Sequence, residues 1–228
     1  MKLLAIETAS DACSVALDTG VEVLERHHEQ ARMHGRLLLN MVAELLAEAE
    51  LKLAALDALA VGRGPGSFTG VRIAVGAAQG LAFGAQLPLV PVSSLAALAQ
   101  GAVRMEGASG VATAVDARMN EVYWGLWQAD AQGVVVQAAP ERVCAPGDIE
   151  LPAGEWCAAG TGWTAYASEL GTALASQPGG VTGLQHALRL ACARDLLPLA
   201  RCLLAAGGEF TPEQAVPVYL RDSVAWKK

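Results

Sequence analysis

Four glycines fall within nine residues in Gly62-Arg63-Gly64-Pro65-Gly66-Ser67-Phe68-Thr69-Gly70. The segment follows an apolar run, Ala58-Leu59-Ala60-Val61, and precedes a stretch of small residues from about Val71 to Ala85. Glycine lets a backbone turn with positive φ and approach a neighbour closely. A loop of this kind between a buried strand and a helix commits the region to a strand–loop–helix unit of an α/β protein. Its amides, at a helix N-terminus, could offer an anion site. The loop is not a Walker A loop, because no Gly-Lys-Ser/Thr ends it. Nor is it a dinucleotide fingerprint, since Gly70 comes one residue too late after Gly64-x-Gly66. A tight turn with Ser67 or Thr69 capping the helix explains the same residues without a ligand.

The flanking chain alternates strands and helices. Residues 2–6 and 13–17 read as strands around Thr8-Ala9-Ser10-Asp11, and Val21-Glu22-Val23-Leu24-Glu25 as a third strand of a meander. Over residues 36–50 the period becomes helical. Leu37, Leu38, Met41, Val42, Leu45, Leu46 and Ala49 form a broad apolar face, with Asn40, Glu44 and Glu48 on the polar side. Residues 87–92 form another strand, and Ser93 or Ser94 caps the next helix. Near Gly107-Ala108-Ser109-Gly110 the order restarts. Val111-Ala112-Thr113-Ala114-Val115-Asp116 ends in a carboxylate as the first strand ends in Glu7, and residues 122–128 mirror 13–17. Two related halves follow, residues 1–106 and 107–228, with a late helix over 189–206 strained by Pro198 and an extended tail over 216–226. That last helix and tail could pack back on the first half.

Composition excludes several classes. With 53% hydrophobic and 17% charged residues, the chain can bury a core and is not disordered. Its balance of 16 − 23 = −7 lacks the basic surface of a principal nucleic-acid binder. Membership of an assembly whose other parts bind RNA stays open. Five cysteines without a CxxC pair indicate neither a disulfide framework nor a four-ligand zinc site, and fit reduced cytoplasmic thiols. Residues 73–103 carry no charge, which exceeds the roughly 20 residues of a membrane span. Pro88 and Pro91 divide that stretch, so helix, strand and helix is the expectation, in a soluble chain. Glu7 comes too early for a signal-peptide apolar region.

Several residues could carry chemistry. Gly76, Gly80 and Gly84 share one helical face, suited either to an internal contact against residues 36–50 or to a subunit interface. Glu7 and Asp116, at matched strand ends, could hold a metal–nucleotide complex or position water across a cleft, or could be ordinary turn carboxylates. His27, His28, His34 and His186 contain no HExxH, and His34 fits a first helical turn. No metal site is expected. Ser67 follows a glycine directly and lacks the GxSxG context of a serine nucleophile. Tyr123, Trp124 and Trp127 read as core or sheet surface, and Trp226-Lys227-Lys228 is too little for an RNA patch.

Read together, Leu4-Ala5-Ile6-Glu7-Thr8-Ala9, the 62–70 loop continued by Val71-Arg72, Val115-Asp116-Ala117-Arg118, Glu121-Val122-Tyr123-Trp124 and Pro217-Val218-Tyr219-Leu220-Arg221 resemble the TsaB family, also called YeaZ. The match runs in order from the first strand to the tail. The resemblance implies an α/β fold of the ASKHA (actin/Hsp70/sugar-kinase-like) type, two related lobes of mixed sheet flanked by helices. It further implies a cytoplasmic, non-catalytic partner of TsaD in forming threonylcarbamoyladenosine at the tRNA adenosine 3′ of the anticodon, in ANN-decoding tRNAs. TsaE would join through the TsaB–TsaD complex, TsaC would supply the acyl-adenylate, and the chain alone would pair with a second copy. Contact with tRNA would be indirect, and no membrane is involved.

The TsaD-like His-x-x-x-His metal pair is missing here: the corresponding stretch reads Val92-Ser93-Ser94-Leu95-Ala96-Ala97-Leu98. No catalytic residue, metal or cofactor of its own is therefore expected, although ATP or ADP could sit at an interface in the complex. The family's interface corresponds to Leu38, Met41, Leu45, Arg72, Gly76, Gly80 and Gly84. Glu7, Thr8, Gly64, Gly66, Ser67 and Asp116 are the candidate nucleotide contacts. The alternatives are an ATPase or kinase-like ASKHA enzyme using Glu7, Asp116 and the loop, and, with least support, a peptidase of the M22-like class.

Overall fold

Among the described residues, two five-stranded sheets with one common strand order form the cores of the two halves. A computed structural model describes residues 1–29, 33–183 and 190–221. His186, the expected helix start at Arg189 and the expected tail beyond residue 221, with Trp226, Lys227 and Lys228, lie outside the described residues.

The first lobe comprises β1 (Leu3–Glu7), β2 (Ala12–Asp18), β3 (Val23–Glu29), α1 (His34–Glu48), β4 (Ala58–Gly62), α2 (Phe68–Ala85), β5 (Leu89–Val92) and α3 (Ser94–Glu106). The second comprises β6 (Gly110–Arg118), β7 (Glu121–Ala129), β8 (Val135–Cys144), β9 (Gly154–Ala159), α4 (Gly162–Ala165), α5 (Ala167–Leu174) and β10 (Gly179–Thr182), and is followed by α6 (Leu196–Ala205). The orders are β3-β2-β1-β4-β5 and β8-β7-β6-β9-β10. In each sheet the central strand pairs antiparallel with the next strand and parallel with the fourth. The restart near residue 110 is thus a repeat of topology.

Strand β1 shows why both sheet faces must be covered. All five of its residues are buried. Successive side chains of a strand point to opposite faces. Leu4 and Ile6 accordingly join Leu38, Met41, Leu45, Val75 and Ala78 of α1 and α2 in one core cluster. Leu3 and Ala5 join Leu95 and Leu98 of α3 and Leu196, Leu197 and Leu199 of α6 in another. Helix α6 therefore packs on the first sheet. A third cluster lies within the second lobe, built on Trp124, Trp156 and Trp163.

Two expectations need correction. The third strand runs from Val23 to Glu29 because Gly20 and Val21 belong to the preceding turn, where Thr19 N–H donates to Glu22 O at 2.9 Å. The late helix begins at Leu196, with residues 193–195 a separate single turn. Pro198 then sits in the first turn, where its missing N–H would have no intrahelical partner, so it strains nothing.

Candidate functional site

Glu7 closes β1 beneath the glycine-rich loop. Its carboxylate accepts hydrogen bonds from Ala9 N–H at 2.6 Å and Ser94 Oγ at 2.7 Å. The Ser94 hydroxyl also accepts from Gly64 N–H at 3.2 Å, while Ser94 N–H donates to Gly64 O at 3.0 Å. Burial pushes the Glu7 carboxyl up to about 6, against the opposing pull of those donors. A Cβ on Gly62 would lie 1.9 Å from Glu7 Oε2. Thr8 is buried too, its hydroxyl donating to Gly70 O at 2.7 Å. Glu7 and Thr8, two of the expected nucleotide contacts, are thus both buried and tie β1 to the loop and the start of α3.

The loop is shaped by close approach. A Cβ at Gly66 would come within 2.3 Å of Ala9 O, so only glycine lets the loop lie on the β1–β2 turn. Gly64 adopts φ +87, and Ser67 caps α2 by accepting from Gly70 N–H at 3.3 Å.

Above this base a cleft of about 790 Å³ opens between the lobes, lined among others by Gly66, Ser67, Leu95, Val115, Asp116 and Tyr123. Asp116 Oδ1 accepts from Arg118 N–H at 2.8 Å and from the Tyr166 hydroxyl at 3.0 Å, and Oδ2 pairs with the Arg118 guanidinium at 2.9 Å. The two matched carboxylates do not converge. Asp116 stands in the cleft wall, whereas Glu7 is buried below it. Gly64 is not among the lining residues, and Gly66 and Ser67 are.

The outer surface of α2 is a second candidate. Arg72, Gly76, Gly80 and Gly84 are exposed, and nothing among the described residues lies within 4 Å of a Cβ placed on any of the three glycines. The internal contact against α1 is therefore absent there. Phe68 and Phe83 on the same helix are 63% and 71% exposed. In α1, Leu38, Met41 and Leu45 are 2%, 2% and 0% exposed and face the sheet. The apolar face of α1, with these three expected interface residues, is thus used by the chain's own core, and Leu39, Ala43 and Ala47 face outward.

Sequence reasoning passed over one cluster here. The Arg72 guanidinium carbon lies 3.3 Å from the Phe68 ring centroid and 4.8 Å from that of Tyr219, whose ring is 6.1 Å from Phe68. Phe68 and Arg72 are four apart on a helix and were legible as neighbours. Nothing local pointed to Tyr219.

Residues 22–173 match the family model described as "TsaD: tRNA N6-adenosine threonylcarbamoyltransferase". The chain is 44% identical to the tRNA threonylcarbamoyladenosine biosynthesis protein TsaB of Escherichia coli, over all of this chain and 98% of that one. It is 39% identical to the TsaB of Haemophilus influenzae, over all of this chain and 97% of the relative. The chain belongs to the TsaB family. The solved structure of YeaZ from Pseudomonas aeruginosa superposes with a TM-score of 0.86 at 45% identity, covering 96% of this chain and 99% of that one. A second Pseudomonas aeruginosa structure, described as having similarity to the peptidase YEAZ, matches at 46% identity with the same TM-score. The two-lobed α/β architecture of this chain is thus the ASKHA fold.

The peptidase description gives one arrangement in this TsaB-family chain a particular interest. Cys192 Sγ lies 3.7 Å from His27 Nδ1, and His27 Nε2 lies 3.4 Å from Glu29 Oε1. The order is that of a thiol, a base and an orienting carboxylate. Burial, however, pushes the Cys192 thiol up to about 11, so at neutral pH it carries the unreactive form. None of the three residues lines the interlobe cleft, although Ala191 beside Cys192 does. His34 is the first residue of α1, with Nε2 bonded to Ser10 O at 2.8 Å. Among the described residues no group of three or more His, Cys, Asp and Glu side chains could hold a metal ion. Trp124 and Trp127 are buried, and Tyr123 lines the cleft. None of the described helices is long and apolar enough to cross a membrane.

Proposed function

We propose that this chain is a non-catalytic subunit that docks on a TsaD-type transferase and supports formation of threonylcarbamoyladenosine on tRNA. The observation that carries this reading is the open glycine stripe of α2. Three glycines in one helical register each cost about 1 kcal/mol relative to alanine. Within the described chain nothing packs into the groove they leave. A partner helix laid along Gly76, Gly80 and Gly84 would approach closely, with Arg72 and Phe68 at one end and Phe83 at the other. Leu38, Met41 and Leu45 act from beneath by fixing α1 beside α2. The names of the relatives, which are biosynthesis proteins of this tRNA modification, support the pathway. In this reading TsaE joins through the TsaB–TsaD pair, the link to TsaC is functional, and a second copy of this chain occupies the same face when TsaD is absent. The compartment is the cytoplasm.

A second reading is supported by the interlobe cleft: Gly66, Ser67 and Asp116 could meet ATP or ADP there. The burial of Glu7 weighs against turnover, because the first-strand carboxylate does not reach the cleft. Magnesium-dependent hydrolysis by the pure chain, abolished by Asp116→Asn, would establish this reading.

The docking reading is tested with Gly80→Leu. A Cβ at Gly80 meets nothing, so the variant folds, with a helix stabilised by about 1 kcal/mol. It is expected to lose co-elution with TsaD and, in a reaction containing TsaC, TsaD and TsaE, to lose modification of tRNA. Association and modification at normal levels would overturn the assignment of this face.

A further inference from the structure

The sequence motif at residues 217–221 runs between the two candidate sites. Upstream of it, Gln79 of α2 donates to Pro212 O at 3.0 Å and to Ala215 O at 3.1 Å, which anchors the incoming chain on the helix. Val218 N–H then donates to Arg63 O at 2.9 Å in the glycine-rich loop. Tyr219 closes the Phe68–Arg72 stack on the first turn of α2. Arg221, only two residues on, belongs to the other lobe. Its Nε donates to Glu121 Oε2 at 3.0 Å, and its Nη2 pairs with the same carboxylate and donates to Ala117 O at 3.2 Å and Arg118 O at 3.3 Å.

The turn that Arg221 grips is unusual. Arg118, Met119 and Asn120 have φ of 63, 57 and 59, three consecutive non-glycine residues in the left-handed region. Side chains with a Cβ rarely adopt that conformation even singly, so a run of three persists only where surrounding contacts over-determine it. The β6–β7 register also shifts there, between Asp116 and Arg118. Arg118 and Asp116, at the root of the turn, form part of the cleft wall, and Arg221 itself lines the cleft.

We propose that residues 217–221 form a strap that couples the α2 face to the mouth of the interlobe cleft, with Tyr219 as the reader and Arg221 as the latch. Leu220 alone separates the two, and a chain spans at most about 3.3–3.6 Å per residue, which leaves little slack. A displacement of Tyr219 is therefore passed to Arg221. Releasing Arg221 frees the two carbonyls and the Glu121 carboxylate that hold the left-handed turn. The turn then relaxes, and Arg118 and Asp116 move with it. Engagement of Arg72 and Tyr219 by a partner helix would thus reset the cleft wall. That consequence rests on the docking reading, whereas the coupling itself is a property of the lone chain.

Hydrogen–deuterium exchange of the full-length chain, read by mass spectrometry over residues 116–122, tests it. Arg221→Gln is expected to speed exchange of this segment about tenfold, while β1 and β4 keep their protection. Tyr219→Ala, which removes none of the Arg221 hydrogen bonds to the turn, is expected to do the same, and Tyr219→Phe, which keeps the stack, to behave as the parent. Should Tyr219→Ala disturb β1 or β4, Phe68→Leu replaces it with the same expectation. Parental exchange in Arg221→Gln overturns the latch. Fast exchange in Arg221→Gln with parental exchange in Tyr219→Ala and Phe68→Leu overturns the coupling. Normal association of Gly80→Leu with TsaD would remove the docking reading and leave the strap standing, so the two failures are distinct.

Discussion

Replacing Glu7 by glutamine separates the charge of this buried side chain from its shape. The carboxyl is fully buried, and its pKa rises from 4.5 to about 6 on folding. A group whose folded-state pKa lies above its unfolded value favours the fold through its bound proton. That contribution is complete below pH 4.5 and is lost as the pH rises through 6. At 1.36 kcal/mol per pH unit, the ionised form costs the fold about 2 kcal/mol at pH 8 and about 0.8 kcal/mol at pH 5. Glutamine carries no such charge. It keeps an oxygen for Ala9 N–H, but presents an amide to a Ser94 hydroxyl that already accepts from Gly64, a misfit of about 1 kcal/mol that is the same at every pH. The stability of Glu7→Gln relative to the parent should therefore rise by about 1.2 kcal/mol between pH 5 and pH 8, whatever its absolute value. Urea unfolding of both proteins across that range reads this as a growing gap in midpoint of about 0.5 M. A gap that stays constant with pH would refute the reasoning, because the Glu7 carboxyl would then titrate alike in the folded and unfolded chain.

Two further predictions concern packing. Gly66→Ala places a Cβ 2.3 Å from Ala9 O, and is expected to lower stability by about 1–3 kcal/mol in the same unfolding assay, since the loop must lift off the β1–β2 turn. Arg104→Met removes the guanidinium that binds Asp195 at 2.8 Å and 3.1 Å and leaves a carboxylate 1% exposed without its partner. Because the arginine is partly solvated, the cost should fall near 2 kcal/mol, below that of a fully buried pair. A thermal-unfolding midpoint within a degree of the parent would contradict it.

The local grammar of the fold was legible wherever one residue type has one structural use. The serine at position 67 caps α2 and that at 93 caps α3, and the glycine cluster marks the strand-to-helix junction. The repeat was visible from two strand ends, although only the pairing of β1 with β4 and of β6 with β9 reveals that whole sheets recur. What could not be read was which side of an element meets the rest of the chain. The periodicity of α1 fixes an apolar face but not its neighbour, so Leu38, Met41 and Leu45 could be assigned outward when they face β1. In the same way Glu7 and Asp116 occupy matched strand ends, yet one lies under the loop and the other in the cleft wall. The meeting of Tyr219 with Phe68, and of Arg221 with Glu121, depends on contacts across more than 90 positions, to which no local pattern is sensitive.

The seating of α6 on the first sheet has a consequence for how the chain emerges during synthesis. Leu196, Leu197, Leu199 and Ala200 help cover the face of β1 that carries Leu3 and Ala5. The opposite face is covered by α1 and α2, which are complete by Ala85. The ribosome therefore releases a first lobe finished on one side and partly bare on the other, and that side waits from Glu106 until α6 is complete at Ala205. At roughly 5–20 residues per second this leaves about 5–20 seconds of exposed aliphatic surface. The second lobe, whose own cluster on Trp124, Trp156 and Trp163 is local to residues 112–181, can close in the meantime. The order of closure is thus the reverse of the order of synthesis: the lobe begun first is the lobe finished last.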